Sequence, residues 1–105
     1  MFGAIKTMFG GGNEAVAEAI KNGAAIIDVR TRAEYSGGHV AGSKNIPLNE
    51  LGSALSGLPK TKPVVFCCAS GARSGQAASM ARSAGYDAHN GGPWTAVNRM
   101  VAEQV

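Results

Sequence analysis

The chain has few aromatic and charged residues, and almost none of the sulfur and imidazole from which metal sites are built. Of its 105 residues 6% are aromatic and 16% charged, with two cysteines and two histidines. The cysteines, Cys67 and Cys68, are adjacent, which excludes a disulfide framework, and neither forms a spaced cluster with His39 or His89 of the kind that binds zinc. No metal and no other cofactor is expected, and a reducing, cytoplasmic compartment fits the unpaired thiols. Runs of like charge are also missing. The Lys and Arg residues are scattered from Lys6 to Arg99 and leave a net charge of only +3, so no nucleic-acid partner is expected. No apolar run is long enough to span a membrane, and the opening "MFGAIKTMFGGG" lacks a basic start followed by a continuous apolar core.

What is present describes one compact soluble domain, expected as a monomer: 45% hydrophobic residues, 15 glycines, and a length close to the commonest domain size. Residues 1–12 read as an outer strand and a Gly-rich turn. Met1, Phe2, Ile5, Met8 and Phe9 fall at helical spacing, which leaves a surface helix as the alternative. Asn13 can cap a helix that stops at Gly23. "AAIIDV" (24–29) and "PVVFC" (63–67) are continuous apolar runs, as expected of strands buried on both faces. Between them Thr31 can cap a short helix ended by Gly37 and Gly38, and Asn49 can cap a second that ends near Gly57. A helix from Arg73 to about Ala84 closes at Gly85, "YDAHN" is a short strand, and Pro93 starts a last helix. Strands alternating with helices imply an α/β fold with a parallel sheet and helices on both faces, and ligands in such sheets sit at the carboxyl ends of strands.

That rule points to the loop in "VVFCCASGARSGQAA", residues 64–78. A loop entering a helix near Arg73 turns unpaired backbone N–H groups toward the space before it, and Gly71 lets successive amides face inward as an anion nest. A thiol there needs its pKa lowered by about two units to act as a nucleophile at neutral pH. The spacing allows two readings. Counted from Cys67 it is Cys-x5-Arg-Ser, the tyrosine-phosphatase pattern. Counted from Cys68 it is Cys-x4-Arg-Ser, a tighter ring suited to a sulfur atom. Continuity of "VVFC" puts Cys67 in the strand and lets Cys68 open the loop.

Two stretches resemble the single-domain rhodaneses, the rhodanese-like sulfurtransferase domains. "IIDVRTRAEYSGGHVAGSKNIP" (26–47) is similar to the family's Asp-Val-Arg, Glu-Tyr, Gly-His-Val-x-Gly-Ser and Asn-Ile-Pro pattern. "CASGARSGQAA" (68–78) is similar to its Cys-x-x-Gly-x-Arg-Ser loop, with "AGYDAHNGGPWTAV" following. The resemblance covers residues 13–105 and implies a single rhodanese-like domain whose five-stranded parallel sheet is flanked by helices on both faces. It implies that Cys68 takes a sulfane sulfur from thiosulfate or a similar donor as a persulfide, which a thiol acceptor such as thioredoxin, or cyanide, then removes. Two departures stand out, Pro93 in "HNGGPW" where glycine is frequent, and Cys67 itself.

Roles follow from position. Arg73 binds the donor's sulfonate and supports the thiolate; as an ordinary helix-start residue its charge would oppose the helix dipole. Ala69, Ser70, Gly71, Ala72 and Ser74 offer backbone N–H groups, and Ser74 can also cap the helix. Asp28 and Arg30 are expected to form a structural, hydrogen-bonded brace under the active loop, and His39 to bond backbone groups rather than act as a base. Tyr35 and Trp94 are packing residues. Gly10-x-Gly12-x-x-Ala15 mimics a dinucleotide fingerprint, but the segment before it is a poor buried strand. A Cys67-dependent phosphatase and a non-catalytic sulfur-carrier or binding module are the competing functions.

Overall fold

The structure, a computed structural model, describes residues 14–104. Helix α1 covers residues 14–21 and buries Val16 and Ala19. The chain then runs through β1 (Ala25–Asp28), α2 (Arg32–Ser36), β2 (Lys44–Asn45), α3 (Leu48–Ala54) with a trailing 3₁₀ turn at Leu55–Gly57, β3 (Val64–Cys68), α4 (Ala72–Ser83), β4 (Ala88–Pro93) and α5 (Trp94–Glu103). All strand pairs are parallel, in the order β2-β1-β3-β4.

Every residue of β3 is buried, which is why it reads as an uninterrupted apolar run and sits at the centre of the sheet. Alternation along the strands builds two cores. On one face Ile27, Val64, Phe66 and Cys68 pack with Leu51 of α3 and with Ala77, Ala78 and Ala81 of α4. On the other, Val65 and Cys67 pack with Val16 and Ala19 of α1 and Val97 of α5. Three small residues let α4 lie close against β3. Tyr86 closes the first core's far end by donating its hydroxyl to the Leu55 and Leu58 carbonyls. Every buried side-chain nitrogen and oxygen among the described residues has a hydrogen-bond partner.

The expected α/β architecture with helices on both faces is present. The described sheet has four strands instead of five, because the fifth was assigned to residues 1–12, which lie outside the described residues together with Asn13. Thr31 caps α2 as a full capping box with Glu34, and Gly37 ends it. Asn49 does not cap α3. That helix begins two residues earlier, at Leu48 after Pro47, whose fixed φ of −52° already suits a helix start. The strand expected at 86–90 is displaced to Ala88–Pro93, since Tyr86 turns inward to hold the 3₁₀ turn.

Between Phe66 and Cys67 the register of β3 against β4 jumps from Asn90 to Gly92, leaving Gly91 as the extra residue of a bulge. Only glycine fits there. A Cβ on Gly91 would lie 2.6 Å from Val97 Cγ2 and 2.8 Å from Val65 Cγ1. No helix among the described residues is long and apolar enough to cross a membrane.

Candidate active site

The cradle forms where β3 ends and α4 begins. Gly71, immediately before α4, adopts φ +109°, a conformation that L side chains rarely take. With the chain turned in this way, the first amides of α4 point back at the strand end. Gly71 N–H donates to Cys68 Sγ at 3.0 Å and Ser74 N–H at 3.4 Å, while the Ser74 hydroxyl lies 3.3 Å from the same sulfur. Burial works against ionisation of Cys68. The Ser74 hydroxyl, then the Ser74, Gly71 and Ser70 amides, outweigh it, so the thiol titrates below the ordinary cysteine value. Ala69, Ser70 and Ala72 are exposed on the loop, and Ser74 is buried. Cys68 itself is fully buried.

Cys67 lies among Val16, Val65 and Val97 on the opposite face of the sheet. Burial first, then the nearby Asp28 carboxylate, pushes its thiol up to about 12. The phosphatase reading required a Cys67 thiolate facing the loop. The pleat turns that side chain away, and its surroundings keep it protonated.

Arg73 leaves the first turn of α4 and forms a bidentate pair with Glu34 of α2, at 2.8 and 3.0 Å. Its hydrogen bonds hold the Glu34 carboxyl at about 2, with the Thr31 amide adding to the effect. The guanidinium is thus committed to a carboxylate at the rim of the loop and remains 35% exposed. Beside it lies a groove of about 440 Å³ bordered by Val29, Leu48, Arg73 and Met80. A larger hollow of about 530 Å³, between Leu55, Lys60 and Tyr86, contains no residue of the loop.

Asp28 and Arg30 form a buried hydrogen-bonded pair at the end of β1, with no hydrogen bond to the loop itself. Arg30 grips the Asp28 carboxylate at 2.7 to 3.0 Å, donates to the Glu34 and Gly38 carbonyls, and lies 5.0 Å over the Trp94 ring. The brace reaches the cradle indirectly, since it anchors α2, α2 carries Glu34, and Glu34 holds Arg73. His39 stacks on Tyr35 with ring centroids 3.8 Å apart, and its Nδ1 meets the Tyr35 carbonyl at 2.8 Å. None of its hydrogen bonds reaches the loop, as expected of a residue that bonds backbone groups.

Two partners were not found by reading the sequence. In the sequence Glu34 is one member of a Glu-Tyr pair and Asn90 the end of a short apolar-polar run, with no local mark of either contact. Asn90 joins β4 to the cradle. Its Oδ1 accepts from Ser74 Oγ at 2.6 Å and from Gly92 N–H at 2.9 Å, and its Nδ2 donates to the Gly71 carbonyl at 3.1 Å.

The chain is similar in sequence and in fold to known proteins. The chain is 42% identical over 62 residues to an uncharacterized protein of Bacillus subtilis, covering 59% of this chain and 49% of that one. It is 40% identical over 77 residues to a human thiosulfate:glutathione sulfurtransferase, covering 60% and 67%. It therefore spans about half to two thirds of the length of these curated relatives. Among solved structures, a rhodanese-related protein from Thermoplasma volcanium superposes with a TM-score of 0.66 at 30% identity, over 84% of this chain and 85% of that one. The rhodanese-like domain model matches residues 13–92, which hold the brace, the cradle and Asn90, and the chain belongs to that family.

Proposed function

We propose that the protein is a rhodanese-type sulfurtransferase whose nucleophile is Cys68. The observation that carries this reading is the ring of polar groups around one sulfur: the Gly71 and Ser74 amides, which donate to it, and the Ser74 hydroxyl, all within 3.4 Å of Cys68 Sγ. The two amides stabilise a sulfur anion at that point and need no reorganisation when it forms, and the hydroxyl can turn its hydrogen to the same sulfur.

With thiosulfate as donor, the Cys68 thiolate attacks the outer, sulfane sulfur. A new S–S bond forms to Sγ, and the bond to the sulfonate sulfur breaks, its electron pair leaving with sulfite. No external oxidant is needed. The terminal persulfide sulfur then carries the negative charge and takes over the amide donors of residues 69–74. An acceptor thiolate attacks that terminal sulfur and returns Cys68 to its starting state. The name of the human relative supports thiosulfate as donor and a small thiol as acceptor. Arg73 meets the donor's sulfonate, for which it must exchange Glu34 for the incoming anion.

The test is intact-mass analysis after thiosulfate treatment. Wild type and Cys67→Ala gain one sulfur atom, and Cys68→Ser gains none. Thiol-dependent sulfite release follows the same pattern. Sulfur appearing on Cys67, or hydrolysis of a phenyl phosphate that survives Cys68→Ser, would refute the assignment.

A further inference from the structure

The Ser74 hydroxyl stands between two acceptors, and it has one hydrogen to give. Asn90 Oδ1 cannot donate, so in the 2.6 Å contact with Asn90 the hydroxyl must be the donor. The amide orientation is fixed independently, because Gly92 N–H needs an acceptor at Oδ1 and the Gly71 carbonyl needs a donor at Nδ2. With its hydrogen on Asn90, Ser74 Oγ turns a lone pair toward Cys68 Sγ, 3.3 Å away. That arrangement suits a neutral thiol, whose S–H donates to Oγ and continues the chain to Oδ1. It does not suit a thiolate. Once Cys68 ionises, the hydroxyl must leave Asn90 and rotate onto the sulfur.

We propose that Asn90 is a positioning residue for the nucleophile: it competes with the Cys68 thiolate for the single Ser74 hydroxyl hydrogen and so biases the resting cysteine toward the thiol. This rests on the reading of Cys68 as the sulfur-accepting residue. The competition ends when sulfur is loaded. Sγ then carries two covalent bonds and no charge, the hydroxyl returns to Asn90, and the charged outer sulfur keeps the amides. Asn90 thereby favours the two states in which Sγ is uncharged over the bare thiolate. Asn90 follows Ala88 on the same face of β4, the face packed against α4, so the alternation of the strand aims it at Ser74.

Other groups around the sulfur do not intervene in this exchange. Arg73 of α4 is held by Glu34 of α2, Asp28 and Arg30 at the end of β1 hold each other, Cys67 faces the other core, and His89 of β4 pairs with Asp87. None of them hydrogen-bonds the Ser74 hydroxyl, whose partners are Cys68 and Asn90.

The experiment is the pH midpoint of iodoacetamide alkylation, measured in a Cys67→Ala background so that one thiol is read. Measuring the shift with and without the Ser74 hydroxyl separates the exchange from any opening of the loop. Asn90→Leu lowers the midpoint and raises alkylation at neutral pH about fivefold, the equivalent of one net hydrogen bond. Ser74→Ala raises the midpoint. In the double variant, Asn90→Leu adds nothing to Ser74→Ala. Asn90 is exposed, so the substitution leaves the core intact, and Asn90→Ala carries the same expectation should the leucine variant fold poorly. If the asparagine change shifts the midpoint equally with and without the hydroxyl, or shifts it upward, Asn90 only clamps the loop through Gly71 and the proposal is wrong. Failure of wild type to load sulfur would instead refute the proposed function, and would leave these titrations to be judged separately.

Discussion

Cys67 and Cys68 are neighbours in the chain and face opposite sides of the same sheet, one thiol pushed up to about 12 and the other pulled below its ordinary value. The pleat of a strand causes the separation, since successive side chains point to opposite faces. Adjacent sulfurs therefore have opposite chemistry, one an inert core residue and the other a candidate nucleophile.

This opposition has a signature in stability. The Cys67 thiol stays protonated when folded but ionises when unfolded once the pH exceeds about 9.0, its ordinary value. The unfolded state then binds fewer protons, so stability falls as pH rises between about 9 and 12. Urea denaturation from pH 8 to 11 should show a steeper loss in wild type than in Cys67→Ala. Equal slopes would mean that Cys67 ionises freely in the fold.

Glu34 and Arg73 provide the second prediction. Because Arg73 holds the Glu34 carboxyl at about 2 against an ordinary 4.5, the pair's contribution to stability is present above about pH 4.5 and fades as pH falls toward 2. Both groups are over a third exposed, so that contribution is small. The effect on donor binding is larger. Glu34→Gln keeps the capping box of α2 but releases the guanidinium, and KM for thiosulfate should fall several-fold with little change in kcat. An unchanged or higher KM would show that Arg73 does not serve the donor.

Gly71→Ala keeps the sequence of the loop while penalising its shape. At φ +109° an alanine is strained by roughly 1–3 kcal/mol, and relief of that strain moves the N–H now 3.0 Å from Cys68 Sγ. The alkylation midpoint of Cys68 should rise and sulfur transfer should drop. A variant with the wild-type midpoint would remove that amide from the cradle.

Gly91→Ala tests the bulge. The new methyl would sit 2.6 Å from Val97, 2.8 Å from Val65 and 3.0 Å from the Phe66 carbonyl, so overpacking should cost about 1–3 kcal/mol in urea denaturation. Wild-type stability would mean that β4 can shift its register without loss.

Much of the site was legible before folding. The apolar runs, the capping Thr31, Gly71 and the Cys68-to-Ser74 spacing are local signals, and each depends on residues only a few positions apart. Glu34 and Asn90 were not legible in the same way. Glu34 meets Arg73 across 39 positions, and Asn90 meets Ser74 across 16. Nothing in the short-range pattern marks either pairing, which exists only because α2 and β4 are brought to the carboxyl end of β3.

Taken alone, then, the order of residues was enough to set the alternation of strands and helices and the glycine that lets the loop turn, because backbone preference acts within a few residues; Cys68, expected to open the loop, instead ends the strand. Tertiary structure alone decided that Arg73 is bound by a carboxylate, that the brace acts through α2, and that an asparagine on a bulged strand competes for the hydrogen of Ser74. Hydrogen bonds between distant segments depend on ångström-scale positions, and only the packing of β1, β3 and β4 with α4 sets those positions.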